Sequence, residues 1–183
     1  MQIKIIVTAS LYTLYAALFC INIVAQKTKP MVITQTYIPS GYMGDGGTMS
    51  IAHRDITRPD STSVKVIYTP RNLGWGGIYW QYPDTNWCKR RGLDLSAYSR
   101  LTFYVRGETG NEVVKFKVGQ DCGDTYAMNP PLTEKLTNSW RKITINLAGK
   151  NLKNISGAFA WIVDSAENQG KAITFYLDDI QYE

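Results

Sequence analysis

The sequence predicts an all-β protein, a sandwich or barrel built from short strands. Three observations lead to this prediction: apolar and polar residues alternate in short runs, turn residues such as Gly, Pro and Asn separate the runs, and no apolar stripe with helical spacing exceeds two turns. The 183 residues, 44% hydrophobic and 19% charged, suffice for one domain with a full-sized core. Many short strands with regular turn signals are typical of sandwiches and barrels.

The N-terminal residues differ from the rest, because Lys4 is followed by an uncharged apolar run from residue 5 to residue 25. We expect residues 1–25 to be a signal peptide, cleaved between Ala25 and Gln26. A run of about 20 apolar residues can also span a bilayer, so an uncleaved membrane anchor remains the alternative. Residues 26–32 are expected to be a short lead-in, and residues 33–183 the β domain. The protein is then secreted, periplasmic or held at the cell surface.

The predicted strands follow in order along the domain. The segment GYMGDGG, residues 41–47, is expected to be a long irregular loop. Alternation then predicts strands at residues 64–68, 78–82, 101–106, 114–118, 143–147 and 173–177.

Two cysteines, Cys88 and Cys122, remain once Cys20 has left with the signal peptide. In an oxidising compartment they can form a disulfide, which would close a loop of roughly 35 residues and stabilise the fold by about 3–4 kcal/mol. Two free buried thiols are the alternative.

Aromatic residues are concentrated in GWGGIYWQYPDTNW, residues 74–87. Side chains two residues apart share one face of a strand, so Ile78 and Trp80 are assigned to the core, and Tyr79 and Gln81 to the opposite face. A ring on a solvent face is costly unless a ligand covers it.

Neighbouring strands are expected to add Tyr104, Arg106 and Lys117 to this mixed face. Rings can stack on the apolar face of a sugar, while Gln, Lys and Arg bond its hydroxyls. Trp75 and Trp87 flank the strand in loops, where they either stand open to a ligand or fold over the edge of the core. We include both among the candidate ligand-binding residues.

Several functional classes are disfavoured by the residues present. The single histidine, His53, has no nearby nucleophile, the cysteines lack zinc-site spacing, and the acidic residues fall mainly in turns. We therefore expect no catalysis. The formal charge of +5 depends partly on Lys89, Arg90 and Arg91, a triplet typical of a solvated loop, so nucleic acid is not an expected partner.

One acidic pair, Asp178–Asp179, lies inside a strand pattern. It can cap the terminal strand, or Asp178 can bind calcium together with Asp45 and backbone carbonyls, since Ca²⁺ takes 6–8 oxygen ligands. The first and last strands of a sandwich commonly adjoin, which would bring these two residues together.

The segments LTNSWRKITINLAG, GAFAWIVD and AITFYLDDIQYE, together with SGYMGD and IYWQYPDTNW, resemble a galactose-binding-like jelly roll of the carbohydrate-binding modules that accompany plant-polysaccharide-degrading enzymes. The resemblance covers residues 37–183. It implies a two-sheet antiparallel β-sandwich, a face lined by aromatic and polar residues that holds a glycan, and a structural calcium near the chain ends. Asp178 matches the acidic position of the last strand, and Asp45 is a looser match.

The leading hypothesis is an exported, monomeric, non-catalytic protein that binds a polysaccharide such as a β-glucan or another cell-wall glycan. A small jelly-roll hydrolase or lyase and a surface protein-interaction domain are the alternatives. A membrane is a partner only if the N-terminal segment is uncleaved.

Overall fold

The computed structural model describes residues 29–46, 49–53 and 63–183. The predicted signal peptide or anchor, residues 1–25, lies outside the described residues. Among the residues that are described, no helix has the length and apolar character needed to cross a membrane.

Eleven strands and one short 3₁₀ turn, Ile33–Gln35, make up the described fold. The strands are β1 (Met31–Val32), β2 (Ile38–Gly44), β3 (Met49–His53), β4 (Val64–Tyr68), β5 (Trp75–Gln81), β6 (Arg100–Gly107), β7 (Val113–Lys117), β8 (Leu132–Lys135), β9 (Arg141–Asn146), β10 (Gly157–Asp164) and β11 (Ile173–Tyr182).

These strands form two antiparallel sheets packed face to face. Sheet A has the order β3-β4-β11-β6-β9, with β1 paired to β11, and sheet B has the order β2-β5-β10-β7-β8. The all-β prediction and the two-sheet antiparallel sandwich are confirmed. The expected lead-in is wrong for Met31 and Val32, which pair with Tyr182 and Gln181 and so belong to sheet A.

The core lies between the sheets and is rich in aromatic rings. Phe103 of sheet A meets Phe116 and Phe159 of sheet B, with ring centroids 4.7 and 5.1 Å apart. Trp161 of sheet B packs edge-on against Phe175 of sheet A at 5.3 Å. All five side chains are fully buried. Every second residue of a strand supplies this core, which is why alternation located the strands.

The segment expected to be a long loop is largely a strand, since β2 includes Gly41 to Gly44 and pairs with β5. The glycines of β2 allow its backbone to approach β5 closely. A Cβ on Gly41 would lie 2.8 Å from atoms of Tyr79 and Gln81, and Gly44 has a φ of +59° with the Trp75 carbonyl oxygen 2.3 Å from the place a Cβ would take. Glycine in this segment therefore permits sheet pairing where turn chemistry alone predicted an irregular loop.

Candidate functional site

The outer face of sheet B carries small and aliphatic residues in its middle. Alternation along β5 points Trp75, Gly77, Tyr79 and Gln81 away from the core. Gly77 pairs with Ile162 of β10 and is covered by the Met43 and Ile162 side chains, which form the aliphatic floor beside Trp75. Trp75 keeps 38% of its surface exposed. In the sequence, the only sign of this surface is small residues such as Gly77 and Ala160 at outward-facing positions of β5 and β10, and sequence reasoning did not use it.

Trp87 lies over the other end of the same face. Its ring packs edge-on against Tyr79, with centroids 6.3 Å apart and planes at 87°, and 41% of its surface remains exposed. Since Tyr79 is four residues from Trp75 along β5, the two ends of the face are separated by about 13 Å. Both rim tryptophans therefore present ring surface outside the core.

Tyr79 supports Trp87 and offers almost no surface of its own. It is 5% exposed, and its hydroxyl donates a hydrogen bond to the carbonyl oxygen of Gly119 at 3.0 Å. Burial, together with the nearby charges of Asp121 and Asp124, raises the pKa of Tyr79 well above its usual value. The expectation that Tyr79 contacts a ligand directly is not met, because the loop carrying Trp87 covers it.

Gln81 likewise belongs to the framework. It is fully buried, and its amide donates to the Asn86 carbonyl oxygen at 3.2 Å and to Gln120 Oε1 at 3.1 Å. Gln120 in turn donates to the same Asn86 carbonyl and to Ser156 Oγ, both at 2.8 Å. This buried network joins β5 to the loops on either side, so Gln81 holds the site together and does not reach a ligand.

The loop carrying Trp87 is tied down on both sides of the ring. Asn86 donates to the carbonyl oxygens of Tyr82 and Arg90 at 3.0 and 2.9 Å, and accepts from the Arg90 amide at 3.0 Å. Cys88 is joined to Cys122 in a disulfide, with Cα atoms 5.8 Å apart. Trp87 stands between these two anchors, which fix its position relative to the sheet.

Cations flank the aliphatic floor and are paired with carboxylates. Lys115 lies beside Ile162 and pairs with Glu167 at 2.9 Å. Lys117 lies beside Ala160, is 8% exposed and pairs with Asp121. Lys117 is therefore on the predicted face, with its charge balanced at the rim.

Tyr104 and Arg106, by contrast, lie on β6 in sheet A, on the opposite side of the molecule. Arg106 sits over the ring of Tyr176, with its Cζ 3.8 Å from the centroid, and 5.4 Å from the centroid of Trp140. The prediction of a shared face is wrong for this pair. Alternation defines the face of a strand but not the sheet that the strand joins, and β6 pairs with β9 and β11.

Asp45 organises the turn before β5. Its carboxylate accepts hydrogen bonds from the backbone amides of Arg71 (2.8 Å), Leu73 (3.0 Å) and Gly74 (3.1 Å), and from the hydroxyl of Tyr68 (3.3 Å). Burial alone would raise the pKa of Asp45, but these hydrogen bonds outweigh it and hold the pKa below its usual value. A carboxylate surrounded by four donors is poorly suited to bind a cation.

The structure does not bring Asp178 to Asp45. Asp178 of β11 pairs with Tyr104 of β6, whereas Tyr68 of β4, whose hydroxyl bonds Asp45, pairs with Ile173 of β11. Five residues along a strand correspond to about 16 Å. The expected calcium site at these two residues is therefore not formed, and among the described residues no group of three or more His, Cys, Asp or Glu could hold a metal. A structural calcium stays a prediction, to be tested by the effect of EDTA on the melting temperature.

No family model matches the sequence, and no curated protein matches it significantly. Solved structures are similar in fold. A family 30 carbohydrate-binding module aligns with a TM-score of 0.56 at 17% identity, covering 85% of this chain and 99% of the module. A family 11 carbohydrate-binding module from Clostridium thermocellum, in complex with a β-1,3-1,4-mixed-linked tetrasaccharide, aligns at 0.54 and 15% identity, covering 84% and 94%.

A second structure of family 11, the module of the cellulosomal cellulase Lic26A-Cel5E of Clostridium thermocellum, aligns at 0.53 and 17% identity, covering 84% of this chain and 92% of that one. The resemblance to carbohydrate-binding modules is thus confirmed for the fold. The chain has the antiparallel β-sandwich architecture that these modules share.

Proposed function

We propose that the protein is a non-catalytic carbohydrate-binding protein that recognises a polysaccharide on the outer face of sheet B. The observation that carries this proposal is the pair of exposed tryptophans, Trp75 and Trp87, at the two ends of one flat sheet face. The fold shared with carbohydrate-binding modules of families 11 and 30 supports it.

The arrangement suits a chain of sugar rings. A pyranose has an apolar face of C–H groups that can stack on an indole ring. The sheet between the tryptophans is covered by the aliphatic side chains of Met43 and Ile162, which lie over Gly77, so ring stacking has to come from the tryptophans themselves. Each stacking contact is worth on the order of 1 kcal/mol by analogy with aromatic pairs. Micromolar affinity corresponds to about 8 kcal/mol, so several contacts must act together along an extended ligand.

Rigidity of the site contributes to affinity. The disulfide, the Asn86 hydrogen bonds and the Tyr79 ring hold Trp87 in place before any ligand binds. Little conformational entropy is then lost at this ring on binding.

The ligand we propose is a neutral cell-wall polysaccharide such as a β-glucan. Lys115 and Lys117 pair with Glu167 and Asp121, so these two cations are already neutralised and do not favour an acidic glycan. We further propose that the protein is exported, because its disulfide persists best in an oxidising compartment.

A glycan array, followed by affinity gels with the polysaccharides that bind, tests the proposal on the purified chain without residues 1–25. Trp75→Ala and Trp87→Ala should each weaken binding by about fivefold to tenfold, since each removes a stacking ring. Binding of no glycan, or full affinity in both variants, would rule out this face as the site.

A further inference from the structure

A methionine lies in the middle of the outer face of sheet B, between the two exposed tryptophans. Met43 of β2 pairs with Gly77 of β5, and residues that pair across two strands share a face, so the Met43 side chain is on the outer side. A Cβ on Gly77 would lie 3.0 Å from Met43 Cε and 3.1 Å from Ile162 Cγ1. The two side chains therefore meet over Gly77 from the strands on either side of it.

Met43 is in the path of a chain that spans the tryptophans. Gly77 is two residues from Trp75 along β5, a separation of about 7 Å. It is equally far from Tyr79, the residue that Trp87 packs on. Met43 is half-buried, so part of its side chain is open to the solvent on this face. A polysaccharide that stacks on both tryptophans therefore passes over the Met43 thioether.

Methionines hold the reduced sulfur in the part of the chain that the structure describes, because Cys88 and Cys122 are joined in a disulfide. Met31 and Met128 are packed against the core, whereas Met43 lies on the outer face. Oxidation of the first two would disturb core packing. Oxidation of Met43 would instead change the surface that the proposed ligand covers.

A peroxide oxidises a thioether by transfer of one oxygen atom. The sulfur donates an electron pair to one oxygen of hydrogen peroxide, the O–O bond breaks, and the other oxygen takes up the proton and leaves as water. The methionine loses two electrons and becomes the sulfoxide. A polar oxygen that accepts hydrogen bonds then replaces an apolar surface.

The floor of the face offers no donor at the place where the Met43 methyl group lies. The atoms nearest to the point above Gly77 are carbons of Met43 and Ile162 and a backbone carbonyl oxygen of β10, and none of these donates a hydrogen bond. A sulfoxide oxygen on Met43 would therefore rely on water. A sugar ring that lies over Met43 with its C–H face down displaces this water and leaves a buried acceptor unpaired, which is costly.

We propose that Met43 is an oxidation site that regulates the polysaccharide-binding face: its thioether supports binding of the ligand, and its sulfoxide opposes it. The inference rests on the proposed function, because it takes the outer face of sheet B as the binding site. It adds to that site a chemical control by peroxides.

The experiment treats the purified chain with hydrogen peroxide and follows each methionine by peptide mass mapping. The affinity for the polysaccharide selected on the glycan array is measured before and after treatment. We expect the affinity to fall about tenfold as Met43 gains one oxygen atom. Polysaccharide added before the peroxide should slow the oxidation of Met43 and leave that of Met128 unchanged.

Three results would overturn the proposal. Met43 resists the peroxide, or the chain oxidised at Met43 keeps its full affinity, or bound polysaccharide does not slow the oxidation of Met43. Unfolding curves of the treated chain show whether a loss of affinity comes from loss of the fold.

Met43→Leu separates this sulfur from other targets of the peroxide. Leucine has a similar apolar volume and cannot be oxidised, so the variant should bind like the unmodified chain and keep its affinity after treatment. Met128→Leu is the matched control, because Met128 packs against the core, and it should lose affinity on treatment as the unmodified chain does. Equal losses in the two variants would exclude Met43 as the controlling residue.

Failure of this inference can be told apart from failure of the proposed function. If oxidation of Met43 leaves the affinity unchanged but Trp75→Ala and Trp87→Ala weaken polysaccharide binding, only the regulation is wrong. If the tryptophan variants bind polysaccharide normally, the proposed face is wrong whatever the state of Met43.

Discussion

The outer faces of the two sheets contain similar residue types, but the aromatic rings are covered on one face and exposed on the other. On sheet A, Arg106 lies over Tyr176 at 3.8 Å and near Trp140, and the Tyr176 hydroxyl donates to Glu108 at 2.5 Å. On sheet B, Trp75 and Trp87 are each more than one third exposed, and the aliphatic side chains of Met43 and Ile162 cover Gly77 between them.

The difference shows that composition does not identify a binding face. Rings and cations on sheet A satisfy one another within the protein, whereas on sheet B the cations pair with carboxylates and leave the rings open. Which rings are open depends on the partners that the fold brings to them.

Removing the disulfide should weaken both stability and binding. Cys88 and Cys122 are separated by 34 residues, and opening a loop of this size costs about 3–4 kcal/mol of unfolding free energy in the chain-entropy model. The Cys88→Ser/Cys122→Ser variant should also bind polysaccharide less tightly, because Trp87 loses an anchor. Urea unfolding and affinity gels measure the two effects. Lower stability with full affinity would show that the disulfide does not position Trp87.

Tyr79 should matter for stability more than for direct ligand contact. Tyr79→Ala removes a buried ring beneath Trp87 and should cost about 3 kcal/mol of unfolding free energy. Tyr79→Phe retains the ring, loses only the bond to Gly119, and should keep its polysaccharide affinity. A loss of affinity in Tyr79→Phe comparable to that in Trp87→Ala would mean that the hydroxyl contacts the ligand.

Arg106 should matter for sheet A alone. Arg106→Ala removes a cation packed on Tyr176 and should lower the unfolding free energy by about 1 kcal/mol. Polysaccharide affinity should not change, because Arg106 is on the other side of the sandwich from Trp75 and Trp87. Isothermal titration calorimetry measures the affinity of this variant, and thermal melting measures its stability. Weaker polysaccharide binding would point to a ligand on sheet A.

Acid should weaken the hydrogen bonds that Arg100 and Thr102 of sheet A donate to Glu183. Hydrogen bonds from Arg100 and Thr102 to Glu183 lower its pKa to about 2, despite some opposing effect of burial. The folded-state pKa is the lower one, so this stabilisation is present above the usual pKa near 4.5 and is lost as the pH falls towards 2.

The pair is partly solvated, so the effect should be about 1 kcal/mol or less. Melting temperatures measured between these two pH values should fall less steeply for Glu183→Gln than for the unmodified chain. Identical slopes would show that Glu183 contributes nothing to the acid sensitivity.

The fold class and most strands could be predicted from the sequence. The alternating run at residues 64–68 coincides with β4, and the runs at 101–106 and 173–177 fall inside β6 and β11. Alternation reports a local property of the backbone, so one sequence is enough to see it. The sequence did not predict the pairing of Gly41 and Gly44 with β5, because this pairing depends on a strand more than 30 residues away.

The candidate site could be predicted only in part. The sequence indicates which side of β5 carries Tyr79 and Gln81, but their burial depends on a loop held by Asn86 and by the bond from Cys88 to a cysteine 34 residues away. The placement of β6 in sheet A is likewise a consequence of long-range pairing. Exposure of the two rim tryptophans therefore had to come from the structure.

We propose that Trp75 and Trp87 on sheet B, and not the rings on sheet A, bind the polysaccharide. The most direct test compares Trp75→Ala/Trp87→Ala with Trp140→Ala by affinity gel, using the polysaccharide selected on the glycan array and unfolding curves as the folding control. We predict that the double variant loses detectable binding while Trp140→Ala binds like the unmodified chain. Retained binding in a folded double variant, or loss in a folded Trp140→Ala, would contradict the claim.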